Sequence, residues 1–293
     1  MAHDHQHNTK NIKTAFFLNF FFTIIEFIGG YLTNSTAILA DAVHDLGDTV
    51  ALGQAWYFEK ISHRKTTHRY TYGFKRFALL GAMISTLLLL LSSIYVLSQA
   101  IPRLMAPEDI HAEGMLLLSI IGIAINGFAI FKLSKNSGIN SKAVALHLLE
   151  DILGWVAVFV VSIVMMFVYL PILDPILAIL ITLYILRNVL NNIKEMLPVF
   201  LQAVPDEEDL KSITTALKSL EAVENLHHIH LWSLDGEHTI FSAHIVLNRA
   251  LNTKEYDAFK SEIREILRDF DHTTIEIEFP HEVCRMDLLE SRH

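Results

Sequence analysis

The sequence predicts an α-helical membrane protein with six transmembrane helices and a C-terminal α+β domain. Three observations carry that prediction. Of the 293 residues, 52% are hydrophobic and 19% charged, and mean hydropathy is +0.37, too apolar for an ordinary soluble chain of this size. Apolar runs of about 20 residues, the length that crosses a bilayer core, recur through the first two-thirds. Finally, the charge is divided: from Pro205 onward there are 19 acidic against 9 basic residues, while the preceding part holds 13 and 14. That acidic balance, -9 overall, argues against nucleic acid as a partner.

The six expected spans cover residues 12–32, 36–58, 74–97, 115–133, 143–168 and 172–190. Pro171 and Pro175 mark the entry to the last. The second and fifth are the least hydrophobic. No cleavable secretory signal is expected, because no small-residue cleavage site follows a short apolar core. The chain therefore divides into a cytoplasmic histidine-containing tail (1–11), a membrane domain (12–204) and a cytoplasmic domain (205–293). Orientation follows the basic residues of the short loops. The loop after span two holds Lys60, Arg64, Lys65, Arg69, Lys75 and Arg76, that after span four Lys132, Lys135 and Lys142, and the exit of span six Arg187 and Lys194. The opposite loops hold Arg103 with Glu108, Asp109 and Glu113, then Asp174 alone. Both termini are thus expected in the cytoplasm, with the bacterial inner membrane as location.

Beyond Pro205 the periodicity changes. Leu210, Ile213, Leu217 and Leu220 space an amphipathic helix that opens with acidic residues, which suit a helix N-terminus. Residues 226–234 and 238–247 alternate as strands around a turn at Asp235-Gly236. Residues 253–270 form a second helix with Thr253 as expected cap, and 272–279 alternate through Ile275, Ile277 and Phe279. The order α-β-β-α-β, ferredoxin-like, places helices on one face of a small sheet. The single cysteine, Cys284, excludes an internal disulfide and reads first as an incidental thiol, with metal contact as the alternative.

The chemistry concentrates in two pairs: His44 with Asp48, and His147 with Asp151. The i, i+4 spacing sets each pair on one helix face. Ionisable groups at membrane depth persist where they pair with one another, with an ion or with water. Two imidazoles and two carboxylates make a four-ligand, tetrahedral set that suits Zn2+. Asp45 and Glu150 lie one residue off these stripes, about 100° around the helix, and are expected to line water or to pair elsewhere. Asp41 is placed as a supporting or pathway residue, and Glu26 as a polar contact facing the bundle. Zinc binding needs neutral histidine and ionised aspartate, so metal entry expels protons. The site reads as a zinc-for-proton exchanger.

Several stretches resemble the cation diffusion facilitator family of zinc transporters: Glu26-Phe27-Ile28-Gly29-Gly30, the run from Ser35 to Asp48 (STAILADAVHDLGD), Tyr72-Gly73-Phe74-Lys75-Arg76, Ala145 to Asp151 (ALHLLED) and LHHIHLWS at 226–233. The likeness runs through nearly the whole chain in the same order. It implies a homodimer of six-span protomers, a cytoplasmic metal-binding regulatory and dimerisation domain, and proton-coupled efflux of divalent metal through spans two and five. Histidine at position 44 implies zinc over cadmium. By the same resemblance, His230, His244, His272 and Glu278 form a cytoplasmic metal site, where Zn2+ is the regulatory ion. Two departures stand out. An additional metal site that some relatives carry between spans two and three is reduced to His68 and His63, and the loop at 134–140 has no histidine. His3, His5 and His7 are the candidate substitute as a zinc collector. The rival readings are a broader cadmium, cobalt or nickel exporter and a membrane zinc sensor that transports nothing. An enzyme is not expected: no His-Glu-x-x-His motif occurs, and four protein ligands leave no open metal position.

Overall fold

A computed structural model describes the backbone of residues 2–62, 66–133 and 139–284, and their side chains except those of 2–15, 55–56, 59–60, 62, 129, 132–133 and 139–148. The chain divides into two compact units, Met1–Ile193 and Lys194–His293. Six long helices come first: α1 (Ala2–Thr33), α2 (Thr36–Ser62), α3 (Arg76–Met105), α4 (Ala112–Leu133), α5 (Ile139–Phe167) and α6 (Leu173–Phe200). Then follow α7 (Glu207–Lys218), β1 (Val223–Ser233), β2 (Thr239–Leu247), α8 (Thr253–Ile266) and β3 (His272–Glu278).

Each predicted span falls on one helix. Among the described residues, Phe16–Thr33, Arg76–Met105, Leu149–Phe167 and Leu173–Phe200 are long and apolar enough to cross a membrane, and Ala112–Phe128 is a shorter apolar stretch. α2 has the length, at 27 residues, but Asp41, His44, Asp45 and Asp48 reduce its hydropathy. The expected tail differs, since α1 already begins at Ala2. The side chains of His3, His5 and His7 lie outside the described residues, as do His63 and the loop at 134–138.

The membrane unit buries small residues around a few large ones and turns many other large apolar side chains outward. Ala37, Ile38, Ala40 and Val43 of α2 pack with Phe22, Val96, Ala100, Met115, Trp155, Val158 and Ala178, while Leu18, Phe21, Leu91, Leu117, Phe128, Leu153 and Leu180 are exposed. In lipid that exposure is no defect, and close packing of small residues drives helix association. Gly47 lets α2 meet α3, since a Cβ there would stand 2.2 Å from Leu89 Cδ2. Gly122 of α4 receives the Trp155 ring, where a Cβ would stand 2.3 Å from it.

In the C-terminal unit β2 is central, antiparallel to β1 and parallel to β3. The core lies on one sheet face. Phe241, Ala243, Ile245 and Leu247 meet Leu217 of α7 and Phe259 and Ile263 of α8, with Ile275 and Ile277 joining from β3. The helix starts are satisfied by side chains. Asp206 accepts from Glu208 N at 2.7 Å. For α8 the cap is Asn252, one residue before the expected Thr253, in a reciprocal capping box with Glu255.

Candidate metal transport site and cytoplasmic metal cluster

α2 places His44 and Asp48 one turn apart, with His44 Nε2 3.8 Å from Asp48 Oδ2 and side chains 21% and 23% exposed. Across from them on α5, Asp151 lies within electrostatic reach of Asp41, Asp45 and Glu26, so its carboxyl faces the α2 side of the bundle. Gly154, three residues on, lies beside Asp41: a Cβ there would stand 3.5 Å from Asp41 Oδ1. Three of the four expected ligands are thus on facing helices. His147 shares α5 with Asp151, and its side chain lies outside the described residues. Glu150 is placed away from this cleft, accepting from the Tyr184 hydroxyl of α6. Asp45 turns toward α1 and lies near Glu26.

How α2 is held in place is not legible in the spacing. Asp174, fully buried at the start of α6, receives four hydrogen bonds from the start of α2. Ser35 Oγ donates at 2.5 Å, Thr36 N at 2.7 Å, Thr36 Oγ1 at 2.6 Å and Ala37 N at 3.2 Å. A helix leaves its first N–H groups without internal partners, and a carboxylate satisfies them while complementing the dipole. Here the cap comes from a residue 138 positions away in sequence. The preceding turn is also tied down: Asn34, at φ 55, accepts from Arg103 at 2.8 Å (backbone) and 2.7 Å (side chain), and Arg103 pairs with Glu108 at 2.7 Å.

The cytoplasmic unit gathers a different set from the expected one. His244 Nδ1 lies 2.8 Å from Glu278 Oε1, His227 Nε2 lies 3.0 Å from Glu278 Oε2, and Cys284 Sγ lies 3.5 Å from His244 Nδ1. Ligand atoms of all four lie within 4.8 Å of one another. His244 and Glu278 are the two expected members that meet. His230 sits opposite Ser242, two residues along β2 from His244, about 7 Å, and is exposed. His272 pairs with Ile240 at the far end of β3, six residues and about 20 Å from Glu278. Two local devices bring in the others. A one-residue register shift in β1 between His227 and His230, with His228 at φ 47, sets His227 directly across from His244. After β3, Phe279 N donates to Glu282 Oε2 at 2.9 Å and Glu282 N to Phe279 O at 3.0 Å, folding the chain back and returning Cys284, 4% exposed, to the cluster. The thiol read as incidental is therefore a member. Burial pushes the Glu278 carboxyl up, but the hydrogen-bonded His244 and the neighbouring His227 and Cys284 outweigh it and hold it below the ordinary glutamate range. Two nitrogens, one carboxylate and one sulfur fit a tetrahedral zinc site in donor type and number.

Residues 12–201 match the family described as cation efflux transmembrane domain, and residues 205–279 match the cation efflux protein cytoplasmic domain. The chain belongs to the cation diffusion facilitator family. It is therefore a multi-pass cation efflux transporter, not an enzyme. Among its relatives, a "Cadmium, cobalt and zinc/H(+)-K(+) antiporter" of Bacillus velezensis is 32% identical, covering 95% of this chain and 92% of its own. A "Metal cation efflux system protein CzcD" of Cupriavidus metallidurans is 33% identical over 97% and 91%. A "Zinc transporter ZitB" of Pectobacterium atrosepticum is 32% identical over 95% and 89%.

Proposed function

We propose that this facilitator exports Zn2+ from the cytoplasm in exchange for protons, through His44, Asp48, His147 and Asp151. The observation that carries the reading is the half-open His44–Asp48 pair on α2, with Asp151 of α5 near Asp41 and Asp45 of the same helix. These donors bind zinc when histidine is neutral and aspartate ionised, so the same atoms hold either metal or protons. The antiporter names of two relatives are consistent with the exchange. A homodimer in the bacterial inner membrane, both termini cytoplasmic, fits the basic loops and the cytoplasmic-domain match. The domain division near residue 204 belongs to the same proposal. In the cytoplasmic domain, His227, His244, Glu278 and Cys284 are the proposed regulatory zinc ligands, with His230 and His272 nearer to the solvent. Zinc held there stabilises the assembled state by mass action.

Zinc flux into proteoliposomes under an imposed pH gradient tests the exchange: flux should rise with the gradient, and indifference to it would refute proton coupling. A second reading, a broader exporter, is favoured by the relative that handles cadmium and cobalt. His44→Asp separates the two. A zinc-selective site should gain cadmium flux when a carboxylate, which can bind through two oxygens and so suits a larger ion, replaces the imidazole, whereas a site already broad should show cadmium flux in the wild type.

A further inference from the structure

Along α1, Asn19, Thr23 and Glu26 fall on one stripe, and along α2, Asp41, Asp45 and Thr49 fall on another. The two stripes form a polar seam. Asn19 Nδ2 donates to Asp45 O and to Thr49 Oγ1, both at 3.0 Å. Thr23 Oγ1 donates to Asn19 O at 2.8 Å and lies 3.4 Å from Thr49 Oγ1. The Glu26 rung differs. Its side chain is 1% exposed, and neither carboxyl oxygen has a hydrogen-bond partner among the described residues. What lies near it is acid: Asp45 and Asp41 on α2, and Asp151 on α5. α4, which also packs on α1, has only Glu113 and Lys132 as titratable residues, both near its ends.

A buried carboxylate with no donor costs several kcal/mol, and a glutamine would serve better as mere packing. The acid needs a positive partner. The seam has no room for a hydrated metal: Thr23, Asp41, Asp45 and Thr49 are 2–6% exposed, against 21% and 23% for His44 and Asp48. We propose that Glu26 is a proton-carrying residue of the exchange, in a site separate from the metal cleft and facing it through Asp151. Glu26 takes up a proton from outside as zinc leaves. When zinc loads, its charge near Asp151 drives that proton off toward the cytoplasm. This inference rests on the zinc-for-proton reading.

The test compares wild type with Glu26→Gln and Glu26→Asp in proteoliposomes at equal folded-dimer content. Zinc-for-zinc exchange, which needs no proton, is measured beside net flux driven by a pH gradient. For Glu26→Gln, net flux should fall at least about tenfold and lose its pH dependence, while exchange falls no more than about threefold. Glu26→Asp should recover part of the pH-driven flux. The proposal is overturned if Glu26→Gln keeps pH-driven flux within about twofold of wild type. It is equally overturned if exchange and net flux fall by the same factor, which is a structural effect. A wild type that ignores the gradient defeats the exchange reading itself, a separate result.

Discussion

The two candidate metal sites of this chain are built in opposite ways. In the membrane, His44 and Asp48 sit one helical turn apart, partly open, and offer nitrogen and oxygen. In the cytoplasmic domain, His244, Glu278 and Cys284 are buried, sulfur joins the donors, and neighbouring strands fix their spacing. An ion that must leave needs an open cleft whose ligands also accept protons. An ion that reports its own concentration is better held in a closed cluster with a thiolate. The contrast teaches that donor chemistry alone does not distinguish the two sites, whereas access does.

The strongest way to break that contrast is to disable each site alone. Asp151→Ala should lower zinc flux at least about 10²-fold while the full-length protein keeps its cytoplasmic zinc, counted by metal analysis at fixed free zinc. Loss of both together would mean that the sites are not independent. Next in size, Asp174→Ala orphans the buried Thr36 and Ala37 amides, each costing about 1–3 kcal/mol. The melting temperature of the purified dimer should drop, and Asp174→Asn, which keeps an acceptor, should drop it less. A third variant sharpens the sulfur assignment. Cys284→Ser should weaken cytoplasmic zinc binding about 10–100-fold and abolish the thiolate charge-transfer band of the cobalt-substituted protein, while His272→Ala changes neither. The smallest effect concerns Asp235 in the β1–β2 turn. Burial raises its carboxyl, but the His238 and Glu237 amides and the His238 ring hold it below the ordinary aspartate range. A depressed folded value adds stability above the unfolded value of about 3.9 and loses it as pH falls below that. Asp235→Asn should therefore flatten the acid limb of the domain's melting curve.

Much of this was legible in the sequence because the relevant periodicities are local. The six apolar runs fall on six helices, His44 and Asp48 share a face, and β3 alternates as its spacing demands, with Ile275 and Ile277 inward. What escaped depends on contacts distant in the chain or on departures from regular geometry. Asp174 reads as a lone loop acid until α6 meets the start of α2. Cys284 reads as incidental until the turn at 279–282 carries it back. Glu26 reads as a generic polar contact until its neighbours prove to be acids. His230 was favoured by its motif, but the register shift beside it gives the place across from His244 to His227.

That shift has a consequence for comparing relatives. Side-chain facing in a strand has period two, so one extra residue works as a parity switch. Between this shift and an earlier one at Val223–Asn225, odd-numbered residues face the cluster, and after it even-numbered ones do, so His227 and His230 reach the same face although three positions separate them. A relative lacking the extra residue would address one of them to the apolar core. Columns of an alignment through β1 therefore do not carry ligand identity by themselves. The offset must be counted first.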